Sequence, residues 1–357
     1  MQPEGTTNND LLNFVSSLTG GDGMRVEESL GSGYVRLRVS EAERRQAKHD
    51  IRCVEDAVIE LLRNARDAGA RHIFVATSRE GDLRTVIVVD DGSGIPSHMQ
   101  QRVFEARVTS KLDTLTMDQW GVHGRGMALF SIKECAQNAR VCWSAPGAGC
   151  ALEACFDVNE IAERADQSSW PQVVTEKGKR VVRGPRNIIR TCTEFALECE
   201  GRCNVYVGSS SEILASMRWV GERDTSPILD ESLERVTVQA ARCADARELA
   251  EFGSKLGMNL STRTTHRIIK GQIERQRNIC SIVAPQKSQT GARKASNGDM
   301  RTPTLSEEDR AAFTATMESA FKDLGERYYV RLVGTPSVRM SAGRLVVTFE
   351  FNEADGA

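Results

Sequence analysis

The stretch Thr85–Val89 is almost wholly apolar, and a strand of that kind cannot turn one face to water, so it must be an interior strand of a sheet. Its neighbours narrow the fold further. Upstream, His72–Ala76 reads as a second strand, preceded by a helical pattern from Glu41 to Asp67. Ser40 is the candidate N-cap of that helix, Val54, Ala57, Val58, Leu61, Leu62 and Ala65 repeat at three- and four-residue spacing, and Gly69 stops it. Downstream come a turn at Asp90–Pro96, a short helix near His98–Glu105 and a polar loop through Trp120. A helix from about Gly124 to Ala136 then leads to strands Arg140–Ser144 and Cys150–Phe156, joined by the turn Ala145–Gly149. Helix–strand–strand–helix–strand–strand, with helices able to lie on one face, predicts a two-layer α/β sandwich.

The remainder divides by composition. Residues 1–22, rich in Gly, Asn, Thr and Asp, read as a flexible arm, and residues 24–39 as a hairpin around Leu30-Gly31-Ser32-Gly33. The expected organisation is a first domain at 23–157, a connector at 158–185 and an α+β middle domain at 186–283. Within the latter, residues 186–260 read as helix, strand, helix, strand, helix. A linker at 284–304 lacks apolar periodicity, and 305–357 reads as a helix near Glu307–Glu326 with strands Tyr328–Val333 and Leu345–Phe351.

A net charge of -2 gives no global electrostatic reason to bind nucleic acid or an anionic membrane. A local basic strip, Arg263, Arg267, Lys270, Arg275 and Arg277, could touch phosphates, but no aromatics interleave with it, so a solvated helix is the competing reading. No apolar run approaches membrane-span length, and the N-terminus lacks the basic-then-apolar order of a secretory signal, so the expected location is cytoplasmic. The ten cysteines form no C-x-x-C pair and have no histidine at zinc-ligand spacing, and they read as reduced structural thiols.

Three segments carry chemistry. In Glu60-Leu61-Leu62-Arg63-Asn64-Ala65-Arg66-Asp67-Ala68-Gly69-Ala70, the side chains of Glu60, Asn64 and Asp67 share one helix face. An ordinary polar stripe would look the same. Asp90-Asp91-Gly92-Ser93-Gly94-Ile95-Pro96 puts a carboxylate at a strand end, suited to accept from an exocyclic amine, though acidic turns are common. Gly121-Val122-His123-Gly124-Arg125-Gly126-Met127 opens a helix with glycine-freed amides, a candidate anion site that is weak on its own.

In that order and spacing the three segments resemble the N box and two glycine boxes of the GHKL ATPases (gyrase, heat-shock chaperone, histidine kinase, MutL), with MutL proteins the nearest likeness. Thr109-Ser110-Lys111 is similar to the T-S-K stretch of MutL, and Pro146-Gly147-Ala148-Gly149-Cys150-Ala151-Leu152 to the segment ending the module in histidine kinases. The resemblance implies a fold of the GHKL type and a site for ATP and Mg²⁺. It implies that Asn64 ligates the magnesium, that Asp90 accepts from the adenine amino group, and that Gly92 and Gly94 let the chain approach the nucleotide. Gly121, Gly124 and Gly126 would wrap the phosphates, the stretch from Ser97 to Trp120 would form a lid, and Lys111 would help neutralise charge. Asp67, Ile95, Thr109, Ser110, Val122, His123, Arg125 and Met127 fall in the same motifs and are implied nucleotide-binding positions. Glu60 stands where hydrolysing members carry the general base, and many histidine kinases have asparagine there.

The chain also departs from the pattern. Asp91 replaces an asparagine of MutL, Arg125 a glutamate and His123 an arginine, and Cys150 stands where threonine is usual. The lysine that a MutL-type second domain brings to the γ-phosphate has no clear counterpart, and Lys255 and Lys270 are the candidates. His49 superficially resembles a phospho-acceptor but lies on what reads as the same helix as Glu60. Residues 186–260 resemble the histidine-containing phosphocarrier fold without its histidine, a generic α/β domain being the alternative. The expectation is a Mg²⁺- and ATP-dependent switch with slow ATPase activity, working with a protein partner or as a homodimer. A protein kinase acting on a partner and a non-hydrolysing ATP sensor are the alternatives.

Overall fold

The computed structural model describes residues 26–110, 116–118, 121–123, 126–164, 166–176, 179–224, 234–283, 307–328, 330–341 and 344–353. The expected arm at 1–22 and linker at 284–304 lie outside them. The hairpin forms from β1 (Val26–Gly31) and β2 (Tyr34–Leu37), and β2 also pairs with β5 (Val108–Thr109).

The helical stretch expected as one piece is two, α1 (Glu41–Asp50) and α2 (Val54–Asp67). Ser40 caps α1 with a full capping box to Glu43. No proline or glycine marks the break. Ile51 and Cys53 adopt extended backbone with buried side chains, and the Arg52 N–H donates to the Asp56 carboxylate at 3.1 Å. His49 is therefore not on the helix that carries Glu60.

The main sheet orders β12-β3-β4-β9-β8, with β3 (His72–Glu80), β4 (Leu83–Asp90), β8 (Asn138–Ala145), β9 (Gly149–Asp157) and β12 (Asn204–Gly208). All neighbours are antiparallel except β12, which lies parallel to β3. Between β5 and β8, the short strands β6 (Thr116–Asp118) and β7 (Gly121–His123) pair with each other. Along β4, Val86 and Val88 enter one core while Ile87 and Val89 enter another, because successive side chains alternate faces. The first core is covered by α2, α3 (Ala128–Cys135) and α4 (Ile188–Glu198) and holds Val58, Leu62, Val75, Leu152, Phe156 and Phe195. The second face is covered by α5 (Ser210–Gly221), α6 (Val236–Arg242), α7 (Ala246–Lys255) and α8 (Thr262–Ile269), through Leu214, Met217, Val236, Leu249 and Ile268.

The α/β class therefore stands, with a further helical layer supplied by the segment expected as a separate middle domain. The described residues up to 283 belong to one compact unit, because β12 is a strand of the main sheet and not of a sheet of its own. The second strand expected within 186–260 is not formed: Val236-Thr237-Val238, β-branched by composition, is helical, and Val236 and Ala240, four apart, are both fully buried. Only one strand remains in 186–260 among the described residues, and this differs from the phosphocarrier likeness. The connector forms a hairpin of β10 (Gln172–Glu176) with β11 (Lys179–Arg183). The second unit, residues 287–357, contains the helix Glu307–Tyr328, a pairing of Val330–Leu332 with Phe351–Glu353, and another of Ser337–Ser341 with Arg344–Thr348. No described helix is long and apolar enough to cross a membrane.

Candidate functional site

A cavity of about 690 Å³ opens beside α2, between its polar face, the end of β4, β9 and the start of α3. Such a volume lies within the range of small-molecule sites. Its wall carries Glu60, Asn64, Asp67, Asp90, Gly94, Ile95, Thr109, Ser110, Gly126 and Met127, so three segments far apart in sequence meet around one space.

Three tight contacts draw them together. The turn after β4 is tied to the end of α2 by Ser93 N–H donating to the Ala68 carbonyl at 2.9 Å. On its other side it packs on the turn between β8 and β9. Gly147 N–H donates to Ser93 O at 2.8 Å, and Gly94, at φ +68°, lies so close to Ala145 O that a Cβ there would overlap it. Arg107 N–H donates to Gly126 O at 2.9 Å, which brings the second glycine segment to β5 and Thr109.

The paired aspartates divide their work. Asp91 faces away from the cavity and accepts from Arg71 N–H at 2.7 Å and His72 N–H at 2.8 Å, with His72 Nδ1 at 3.0 Å. Asp90 is 4% exposed, lines the cavity and accepts from Gly92 N–H at 2.8 Å. Gly92 therefore acts on Asp90, and is not itself on the cavity wall. Cys150 pairs with Asp90 in the β4–β9 register; burial and then the Asp90 charge push its thiol well up, so it stays protonated at physiological pH.

Glu60 is ion-paired with Arg63 one turn on, whose guanidinium is 4% exposed. The buried Asn64 Nδ2 has no hydrogen-bond partner among the described residues. No described group therefore fixes which end of that amide faces the cavity, and turning its carbonyl inward offers the hard oxygen that Mg²⁺ takes. The charged lining supports the same fit. Among the described residues, Asp50, Asp56, Glu60, Asp67 and Asp90 face only Arg52, Arg63 and Arg164. A polyphosphate entering so acidic a cavity needs a cation alongside it.

The other expected positions are placed differently. Gly121, Val122 and His123 form β7, paired with β6, and the helix expected from about Gly124 begins at Ala128. Lys111, Gly124 and Arg125 lie outside the described residues. Lys255 ends α7 and Lys270 follows α8, and neither lines the cavity. No motif or spacing marks Tyr34, which enters the wall from β2; burial pushes its phenol up, opposed by a hydrogen bond to Ser110. All ten cysteines are free.

Comparison with known proteins points to the same segment. The family model described as "Histidine kinase-, DNA gyrase B-, and HSP90-like ATPase" matches residues 49–160. The DNA mismatch repair protein MutL of Thermus aquaticus is 43% identical over 84 residues, 23% of this chain and 15% of that protein. MutL of Thermus thermophilus is 41% identical over 87 residues, 24% of this chain and 15% of its own length. MutL of Staphylococcus aureus is 34% identical over 113 residues, 29% and 17% respectively. The chain thus spans less than a fifth of the length of these relatives.

Proposed function

We propose, on the premise that residues 49–160 are an ATPase domain of the GHKL family, that this chain binds Mg²⁺-ATP in the cavity beside α2 and hydrolyses it slowly as a conformational switch. The observation that carries the reading is the convergence of Glu60, Asn64 and Asp90 on one cavity, with the Asn64 Nδ2 left without a partner among the described residues. Asp90, fixed by Gly92, is oriented to accept from the adenine amino group, and a carboxylate there selects a base that donates. Asn64 would hold the magnesium, which when bound offsets the phosphate charge against the acidic wall.

Glu60 is the residue placed to orient and deprotonate water, and Arg63 holds its carboxylate in place. The shared segment with MutL covers the nucleotide module alone, so the proposal is confined to nucleotide chemistry.

The test is phosphate release from Mg²⁺-ATP by the full chain beside Glu60→Gln. Gln can still accept the Arg63 hydrogen bond, whereas Ala would strand a buried guanidinium. Release lost in Glu60→Gln, with ATP binding retained, supports a hydrolase. ATP binding with no release from either protein would replace hydrolysis by phosphotransfer or sensing, and label on added partner proteins would identify the former.

A further inference from the structure

On the reading above, a protein cation faces the γ-phosphate of a bound triphosphate; Lys111 lies outside the described residues, and Lys255 and Lys270 belong to the helical layer on the opposite face of the sheet. Among the described residues the cavity wall carries three arginines, and two are committed. Arg63 pairs with Glu60, and Arg164 pairs with Asp56 at 3.2 Å while its backbone N–H donates to Glu55. Arg52 is different. Its guanidinium is exposed and meets no carboxylate among the described residues, while its backbone N–H is anchored on Asp56 at 3.1 Å.

The direction of the bound nucleotide follows from α2, on the reading of the site given above. The base end is set by Asp90, in the turn joined to the last residues of α2 through Ser93 and Ala68. Moving back along the helix, the cavity-lining residues run Asp67, Asn64, Glu60, Asp56, and then Arg52 in the break before the helix. Each turn advances about 5.4 Å. The phosphates therefore run towards the helix N-terminus, with magnesium at Asn64, the attacking water at Glu60, and the outermost phosphate facing the chain break.

We propose that Arg52, held in the break between α1 and α2, is the γ-phosphate-binding cation of this chain. It sits in the ATPase module itself, and not in a following domain. The anchored backbone fixes where its side chain starts, and the unpaired guanidinium leaves it free to take a phosphate oxygen. A planar guanidinium suits that contact because it can donate two parallel hydrogen bonds.

The discriminating measurement is the ratio of affinities for a non-hydrolysable ATP analogue and for ADP, both with Mg²⁺, by calorimetry on the full chain. Wild type should prefer the triphosphate. Arg52→Ala should weaken the triphosphate roughly 10-fold or more, as for a charged hydrogen bond, and leave ADP within about twofold. Arg52→Lys should restore part of the preference, and Lys255→Ala should change neither affinity. An unchanged ratio in Arg52→Ala, or an equal loss for both nucleotides, overturns the assignment while leaving the nucleotide site intact. The site has its own control, Asp90→Asn, which should weaken both nucleotides alike. Failure of the wild-type chain to bind either nucleotide would remove the site and this role together.

Discussion

At residue scale the two neighbouring aspartates show what a motif can and cannot say. Asp90 and Asp91 are chemically identical in the sequence, and the backbone amides of Arg71 and His72, with the His72 ring, hold Asp91 at the start of β3 while Asp90 faces the cavity. Asp90→Asn keeps an acceptor for Gly92 N–H but presents an amide donor to a donor on the base. We expect nucleotide affinity to fall by roughly 10- to 100-fold with the melting temperature little changed. Titration calorimetry beside thermal denaturation would separate the two effects, and full affinity in the variant would remove Asp90 from the site. Glu60 carries a second consequence. Its partner Arg63 is almost fully buried, so Glu60→Ala leaves a guanidinium without its carboxylate while Glu60→Gln leaves it hydrogen-bonded. Glu60→Ala should be less stable than Glu60→Gln by about 1–3 kcal/mol in urea denaturation, although both lose hydrolysis. Equal stabilities would mean that the pair contributes nothing to the fold. The residue types of the site were readable because their chemistry is written in the motifs. The Glu60–Arg63 pairing was not, since a basic side chain three residues on serves a solvated helix equally well.

Between elements, the site depends on turns that touch. The turn after β4 and the turn between β8 and β9 approach so closely that a Cβ at Gly94 would overlap Ala145 O, at a backbone φ of +68°. Gly147, in the second turn, has φ +75°, but a Cβ added there would meet nothing within 4 Å. Gly147→Ala should therefore cost only the conformational penalty, about 1 kcal/mol, whereas Gly94→Ala adds a backbone overlap and should exceed about 2 kcal/mol and weaken nucleotide binding. Thermal denaturation of the two variants side by side decides this, and equal losses would show that the contact between the turns is not what Gly94 provides. Elements with one strong signal were legible: the amphipathic face of α2, the apolar β4 and the glycine-bearing turns. Two others were not. The α1–α2 break has no glycine or proline, and it is made by burial of Ile51 and Cys53 with a local hydrogen bond to Asp56. Val236-Thr237-Val238 carries strand propensity, yet burial of Val236 and Ala240 on one side favours a helix, an instance of packing overriding intrinsic preference.

At the scale of the whole first unit, the segment matched by the family model, residues 49–160, and the segment after it are joined through the sheet. Asn204–Gly208 reads as a strand, but local periodicity says nothing about its partner, and parallel pairing with His72–Ala76 is a long-range choice. The same choice explains why Phe74, Ile87 and Val89 are apolar: they form the second core with Tyr206, Leu214 and Met217, which a free-standing module would leave in water. A fragment of residues 26–160 keeps every described cavity residue except Arg164, yet it loses the strand beside β3 and the four helices over the second face. An open strand edge above an uncovered apolar face is an aggregation template. We therefore expect the 26–160 fragment to be aggregated or to bind a hydrophobic dye, and 26–283 to elute as one species with a single cooperative melt and nucleotide binding equal to that of the full chain. Size-exclusion chromatography and dye fluorescence on the two fragments make the comparison. A monomeric 26–160 fragment with a sharp melt would show that the added layer decorates the module without completing it. The expected result would instead mean that nucleotide binding at α2 and the helices beyond β12 share one cooperative unit, through which a change at the cavity can be felt on the far face of the sheet.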